Sequence, residues 1–122
     1  MEKELSMTFD MFYDAVKSYI DDEKELETIK KAYEFASDKH YGQKRLNGED
    51  YITHPLNVAY ILTKIHSDYE TLSAALLHET IRTQGVEESE IVSLFGENIG
   101  RLVSEVTKIN NRWALVSEHI EG

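Results

Sequence analysis

The amino-acid sequence predicts an all-α bundle of roughly six or seven helices, and three observations carry that expectation. One proline and six glycines among 122 residues leave few breakers of regular structure. The apolar residues recur mostly at spacings of three and four rather than two, the period of helices. A hydrophobic share of 41% against 30% charged is an ordinary globular composition with enough apolar side chains for one core. The length supports one domain over residues 1–122.

A first helix is expected to start near Thr8, which can cap the following amides. It runs through Phe9, Phe12, Val16 and Tyr19/Ile20 to the acidic stretch Asp21, Asp22, Glu23. Those acids open a second helix, where its dipole favours them, with Leu26, Ile29, Tyr33 and Ala36 as its buried stripe and Gly42 at its end. From Gly42 to Thr53 the pattern dissolves into GQKRLNGEDYIT, which reads as a turn-containing loop around Asn47-Gly48. Pro55 fits the first turn of a third helix, where its missing N–H is no loss, and that helix continues through Leu56, Ala59 and Thr63 to about His66. A fourth begins after Ser67-Asp68 and contains SAALLHETI, apolar on nearly every side through Leu77, the pattern of the most enclosed helix; Gly85 closes it. Two more follow, Glu87 to Phe95 and Glu97 to Ile109, separated by Gly96, and a short last one includes Trp113 to Ile120.

Charge and composition exclude several functions. Thirteen Lys and Arg against twenty-three Asp and Glu give a formal charge of −10, so a duplex or an anionic membrane meets net repulsion, and neither is an expected partner. The absence of cysteine excludes a disulfide framework, a thiolate metal site and a Cys nucleophile. With acids near the N-terminus and no apolar run of about 20 residues, the chain is expected to be cytoplasmic. Walker, dinucleotide-binding and nucleophile-elbow motifs do not occur. A zincin would need a second histidine at position 82, where Arg82 stands.

His78-Glu79 is the most informative local feature, because a polar pair in an apolar helix needs partners. Read alone, it is a buried histidine bonded to a carbonyl with a glutamate reaching the helix surface. The two side chains, about 100° apart, can also converge on an ion. His54, before Pro55 at a helix start, either points into a cleft or serves the helix N-terminus. Solvent exposure is the expectation for His40, His66 and His119. Lys44-Arg45 is a basic island that either holds a phosphate or neutralises Glu49 and Asp50. The run Val86-Glu87-Glu88-Ser89-Glu90 lacks the ligand pattern of a calcium loop and reads as a solvated first turn.

Taken in order, AYEFASDKHYGQKRLNGEDYITHPLNVAYIL, TLSAALLHETI and LFGENIGRLVSEVTK resemble the N-terminal hydrolase domain of the RelA/SpoT family, the enzymes that make and degrade guanosine tetra- and pentaphosphate. The resemblance covers about Ile29 to Ile109 and implies the HD-type all-helical fold. It also implies an ion, usually manganese, held by His, His-Asp and a later Asp, with water attacking the 3′-pyrophosphate. His54 stands where the first metal histidine stands, His78 matches the histidine of the His-Asp pair, and Arg45 matches an arginine that contacts the nucleotide. The metal set carried over is therefore His54, His78 and Glu79, with Arg45 for the nucleotide.

The departures are as specific as the matches. Glu79 replaces the aspartate, Leu46 stands where a basic residue is frequent, and Arg82-Thr83 replaces the Glu-Asp pair that positions and activates water. Neither Arg nor Thr can act as a carboxylate base. No aspartate follows Asp68, so the fourth ligand has no counterpart, and manganese is expected to bind weakly or not at all. The expectation is a degenerate, catalytically inactive and regulatory HD-type domain, part of a longer protein or a truncated homologue, with no catalytic residue. A guanosine tetraphosphate-type nucleotide, a synthetase domain or another protein chain are its expected partners. Two alternatives stay open: a working metal-dependent pyrophosphohydrolase using His54, His78 and Glu79, and a non-catalytic module in which Arg45 and Arg82 hold a nucleotide phosphate.

Overall fold

A computed structural model describes residues 7–106. These form α1 (Phe9–Lys17), α2 (Glu23–Lys39), α3 (Thr53–Thr63), α4 (Tyr69–Gln84), α5 (Glu88–Phe95) and α6, helical over residues 97–106. Among the described residues the one strand-like pairing is an isolated bridge between Lys44 and Asp50, so the fold is all-α as expected. The last expected helix, Trp113 to Ile120, and the end of the sixth near Ile109 lie outside the described residues.

Side-chain caps set where helices begin. The Thr8 hydroxyl accepts from the Met11 amide, the Asp22 carboxylate from the Lys24 and Glu25 amides, and the Asp68 carboxylate from the Thr71 amide. Helix ends fall earlier than the periodicity predicts. Helix α1 stops at Lys17, where the Ser18 hydroxyl donates to the Ala15 carbonyl at 2.6 Å, and Ile20 enters the core from the turn beyond. The second helix ends at Lys39, before Gly42. Helix α3 ends at Thr63 rather than near His66, whose φ of +54° breaks the helical path. Tyr19 holds that turn by stacking on the His66 ring at 4.4 Å and donating to the Ser67 carbonyl at 2.7 Å.

Helix α4 is the enclosed element the sequence predicts: every residue from Leu72 to Thr80 is buried, and the helix packs on α2 and α3. Phe12 and Val16 of α1, Ile29 of α2, Leu56 of α3, Ile91 of α5 and Val103 of α6 complete one core around it. Each large aliphatic side chain removed from water there contributes about 1.5–3 kcal/mol. Helix α6 approaches α5 closely at Gly100, where a Cβ would overlap the Val92 side chain. Enclosing α4 delivers His78 and Glu79 to the interior, at 3% and 2% exposure.

Candidate functional site

The site grows from one turn of α4. His78 Nδ1 lies 3.0 Å from the Ala75 carbonyl, which can only accept, so Nδ1 carries a proton and Nε2 is directed at the site. Nε2 lies 3.3 Å from Glu79 Oε2. Because two bare lone pairs would repel at that distance, the contact is attractive when a proton or a cation lies between them. Contrary to the expectation that Glu79 reaches the helix surface, its carboxylate turns inward and becomes the hub of the site.

Helix α3 and the segment before it supply the opposite wall. His54, in the first turn of α3, places Nε2 3.7 Å from Glu79 Oε2, and the residue at the N-cap position, Ile52, makes no side-chain cap. The cleft reading of His54 is therefore the one realised. Tyr51 donates its hydroxyl to Glu79 Oε1 at 3.2 Å and packs its ring against His40 and edge-on against His54. One turn beyond Glu79, Arg82 donates from Nε to the same Oε1 at 3.1 Å. Burial pushes the Glu79 carboxyl upward, but hydrogen bonds from His54, His78 and Arg82 outweigh it and hold the group well below the usual carboxylate range.

Residues 43–51 form a tight reversal that carries Arg45. The Arg45 amide donates to the Glu49 carbonyl at 2.8 Å, the Gly48 amide returns to the Arg45 carbonyl at 2.9 Å, and Gly48 takes φ +90°. Lys44 pairs with Asp50, the neutralising role considered for the basic island. Arg45 lines a cleft of about 500 Å³ together with Lys44, Leu46, Asn47, Tyr51, His54 and Arg82. Three cationic side chains thus face one open cleft in a chain of charge −10.

The comparison with known families matches residues 32–119 to the model of the HD domain. The chain belongs to the HD domain family. Its relatives are RelA/SpoT-type proteins, whose N-terminal HD region it matches. It is 52% identical over 83 residues to a guanosine-3′,5′-bis(diphosphate) 3′-pyrophosphohydrolase of Aquifex aeolicus, covering 68% of this chain and 12% of that protein. It is 48% identical over 81 residues to a GTP pyrophosphokinase rsh of Brucella melitensis, covering 66% and 11%. A bifunctional (p)ppGpp synthase/hydrolase SpoT of Escherichia coli K12 shares 39% over 102 residues, covering 84% and 14%. The chain therefore spans a small fraction of the length of these curated relatives.

HD domains are generally metal-dependent, and the side chains present can be tested against an ion. Glu79 brings one negative charge, and Arg82 cancels it on Oε1. Among the described residues no group of three His, Asp or Glu side chains is placed to hold a metal ion. The residues gathered at this HD site thus do not fit a divalent cation as they stand.

The HD site also contains residues that sequence reasoning missed. His40, expected in solvent, is 1% exposed, and burial lowers its pKa below the ordinary value. Its Nδ1 meets Gln43 Oε1 at 2.9 Å, and the same oxygen accepts from Gln84 at the end of α4. Gln43 thereby ties the Arg45 segment to α2 and α4. Arg82's grip on Glu79 was signalled by the i,i+3 spacing of opposite charges on a helix. Thr83 turns its hydroxyl back to the Glu79 carbonyl at 2.9 Å.

Proposed function

We propose that this HD domain is a degenerate relative of the (p)ppGpp 3′-pyrophosphohydrolases that receives a guanosine tetraphosphate-type nucleotide without hydrolysing it. It acts in this reading as a regulatory, cytoplasmic partner of a synthetase domain or of another protein chain in alarmone metabolism. One observation carries the reading: the guanidinium of Arg82 sits on Glu79, at the position where the family's hydrolases keep a water-activating acid.

Hydrolysis of a phosphoanhydride by water needs a group that takes a proton from the attacking molecule. Arg82 is a permanent cation, and the Thr83 hydroxyl is spent on a backbone carbonyl. The Glu79 carboxylate is engaged on both oxygens. What the residues offer instead is reception of an anion. Lys44, Arg45 and Arg82 line the cleft, Lys44 already paired with Asp50 and Arg82 with Glu79, and Arg45 is able to stack on a base or grip a phosphate beside Tyr51 and His54.

Calorimetry with guanosine tetraphosphate is expected to show binding that Arg45→Ala weakens by about 1.5–3 kcal/mol, the range of a hydrogen bond to a charged group. The convergence of His54, His78 and Glu79 favours a second reading, a metal-dependent hydrolase. Pyrophosphate release in the presence of manganese, abolished by His78→Ala, is the result that would establish it and remove the first.

A further inference from the structure

We infer that Arg82 is a resident cation standing in for the ion of metal-dependent relatives, and that removing its charge turns His54, His78 and Glu79 into a site for a divalent cation such as manganese. Glu79 divides its two oxygens between two kinds of partner. Oε1 receives Arg82 Nε at 3.1 Å and the Tyr51 hydroxyl at 3.2 Å. Oε2 lies 3.3 Å from His78 Nε2 and 3.7 Å from His54 Nε2. Two ligand atoms at about 2.1 Å from one ion, at right or tetrahedral angles, lie roughly 3.0–3.5 Å apart. The donors on the Oε2 side are therefore assembled to within a small adjustment of a ligand set.

Charge is what they lack. A carboxylate shared with a guanidinium offers an incoming dication no net negative charge, and the guanidinium itself repels that dication across a distance of a few ångströms. Arg82 also supplies what a buried carboxylate requires, a fixed counter-charge, so the site is complete without an ion. The Arg82 side chain is 48% exposed and leaves no core void when shortened, which makes the substitution feasible. The inference is independent of whether a nucleotide binds.

The test is a manganese titration of the full 122-residue chain, followed by loss of the paramagnetic resonance signal of the free ion. Arg82→Glu is expected to bind one ion about ten- to a hundredfold more tightly than the parent, the range over which neighbours of a ligand tune metal affinity. Adding Glu79→Gln to Arg82→Glu is expected to abolish the gain. The thermal midpoint of the parent is expected to be indifferent to manganese and to chelator, while that of Arg82→Glu rises with manganese. Equal or tighter binding by the parent, or a gain that survives Glu79→Gln, overturns the inference. Arg82→Gln, which removes the charge without adding a carboxylate ligand, is expected to share the gain, and a gain confined to Arg82→Glu overturns the inference. No nucleotide is present in any arm, so failure here leaves the proposed function to its own calorimetric test.

Discussion

A carboxylate that is 2% exposed survives in a protein interior only when several donors surround it, and Glu79 has Tyr51, Arg82 and two imidazoles. Tyr51→Phe removes one donor and leaves the ring, so about 1.5 kcal/mol of stability is expected to be lost, read as a lower urea midpoint at unchanged slope. The half-buried position of Tyr51 keeps the loss at the lower end for a bond to a charged group. His40 makes a prediction about pH. Burial lowers its folded-state pKa below 6.5, so the unfolded chain binds a proton that the folded chain refuses. Its contribution is full above pH 6.5 and is lost as pH falls below that value. Thermal midpoints measured from about pH 7 to 5 are expected to fall more steeply for the parent than for His40→Gln. The contribution of Glu79, whose pKa is lowered, fades at more acidic pH, below its ordinary 4.5. Of these residues, the sequence made the His78–carbonyl bond legible, because a histidine in an apolar helix has a carbonyl one turn back. The burial of His40 and Glu79 was hidden, because it depends on residues 43–51 folding back over the ends of α2 and α4. Charge spacing alone does not reveal that reversal.

Helix boundaries show the same division. Starts were legible because a cap is a local chemical event: Thr8, Asp22 and Asp68 each place an oxygen on amides two or three residues ahead. Ends were less so, because the turns at Ser18 and His66 are fixed by tertiary contacts, Tyr19 against His66 and Ser67 above all. The cap with most consequence is Asp68, since α4 carries His78 and Glu79. Asp68→Ala is expected to cost about 0.5–2 kcal/mol in equilibrium unfolding. Amide exchange is expected to rise first at Thr71, whose amide Asp68 accepts at 2.8 Å. At the other end, Gly85 closes α4 in the left-handed region at φ +70°, so Gly85→Ala is expected to cost about 1–2 kcal/mol, checked by the same unfolding measurement.

At the scale of the whole molecule, the chain carries a net −10, and the cleft gathers Lys44, Arg45 and Arg82, with Lys44 paired to Asp50 and Arg82 to Glu79. A long polyanion extends beyond the cleft and meets the net negative charge of the chain, which repels it. A compact anion the size of a nucleotide engages the cleft alone. At an ionic strength of about 0.15 M the screening length is about 8 Å, short enough for local cations to dominate a small ligand but not to cancel the field over a whole duplex. Fluorescence anisotropy at that salt is therefore expected to register a labelled guanosine tetraphosphate and no labelled duplex DNA, with nucleotide affinity falling as salt rises. Duplex binding that Arg45→Ala abolishes would instead assign the cleft to a phosphate backbone. Among the described residues no helix is long and apolar enough to cross a membrane. The relatives of this chain carry their HD region within much longer proteins, at 11–14% of the total length. A domain that binds the nucleotide without consuming it would report the nucleotide's concentration to such neighbours, since bound ligand stabilises the folded domain by mass action. That link has its own readout: the thermal midpoint of the chain is expected to climb with guanosine tetraphosphate concentration, and Arg45→Ala to flatten the climb.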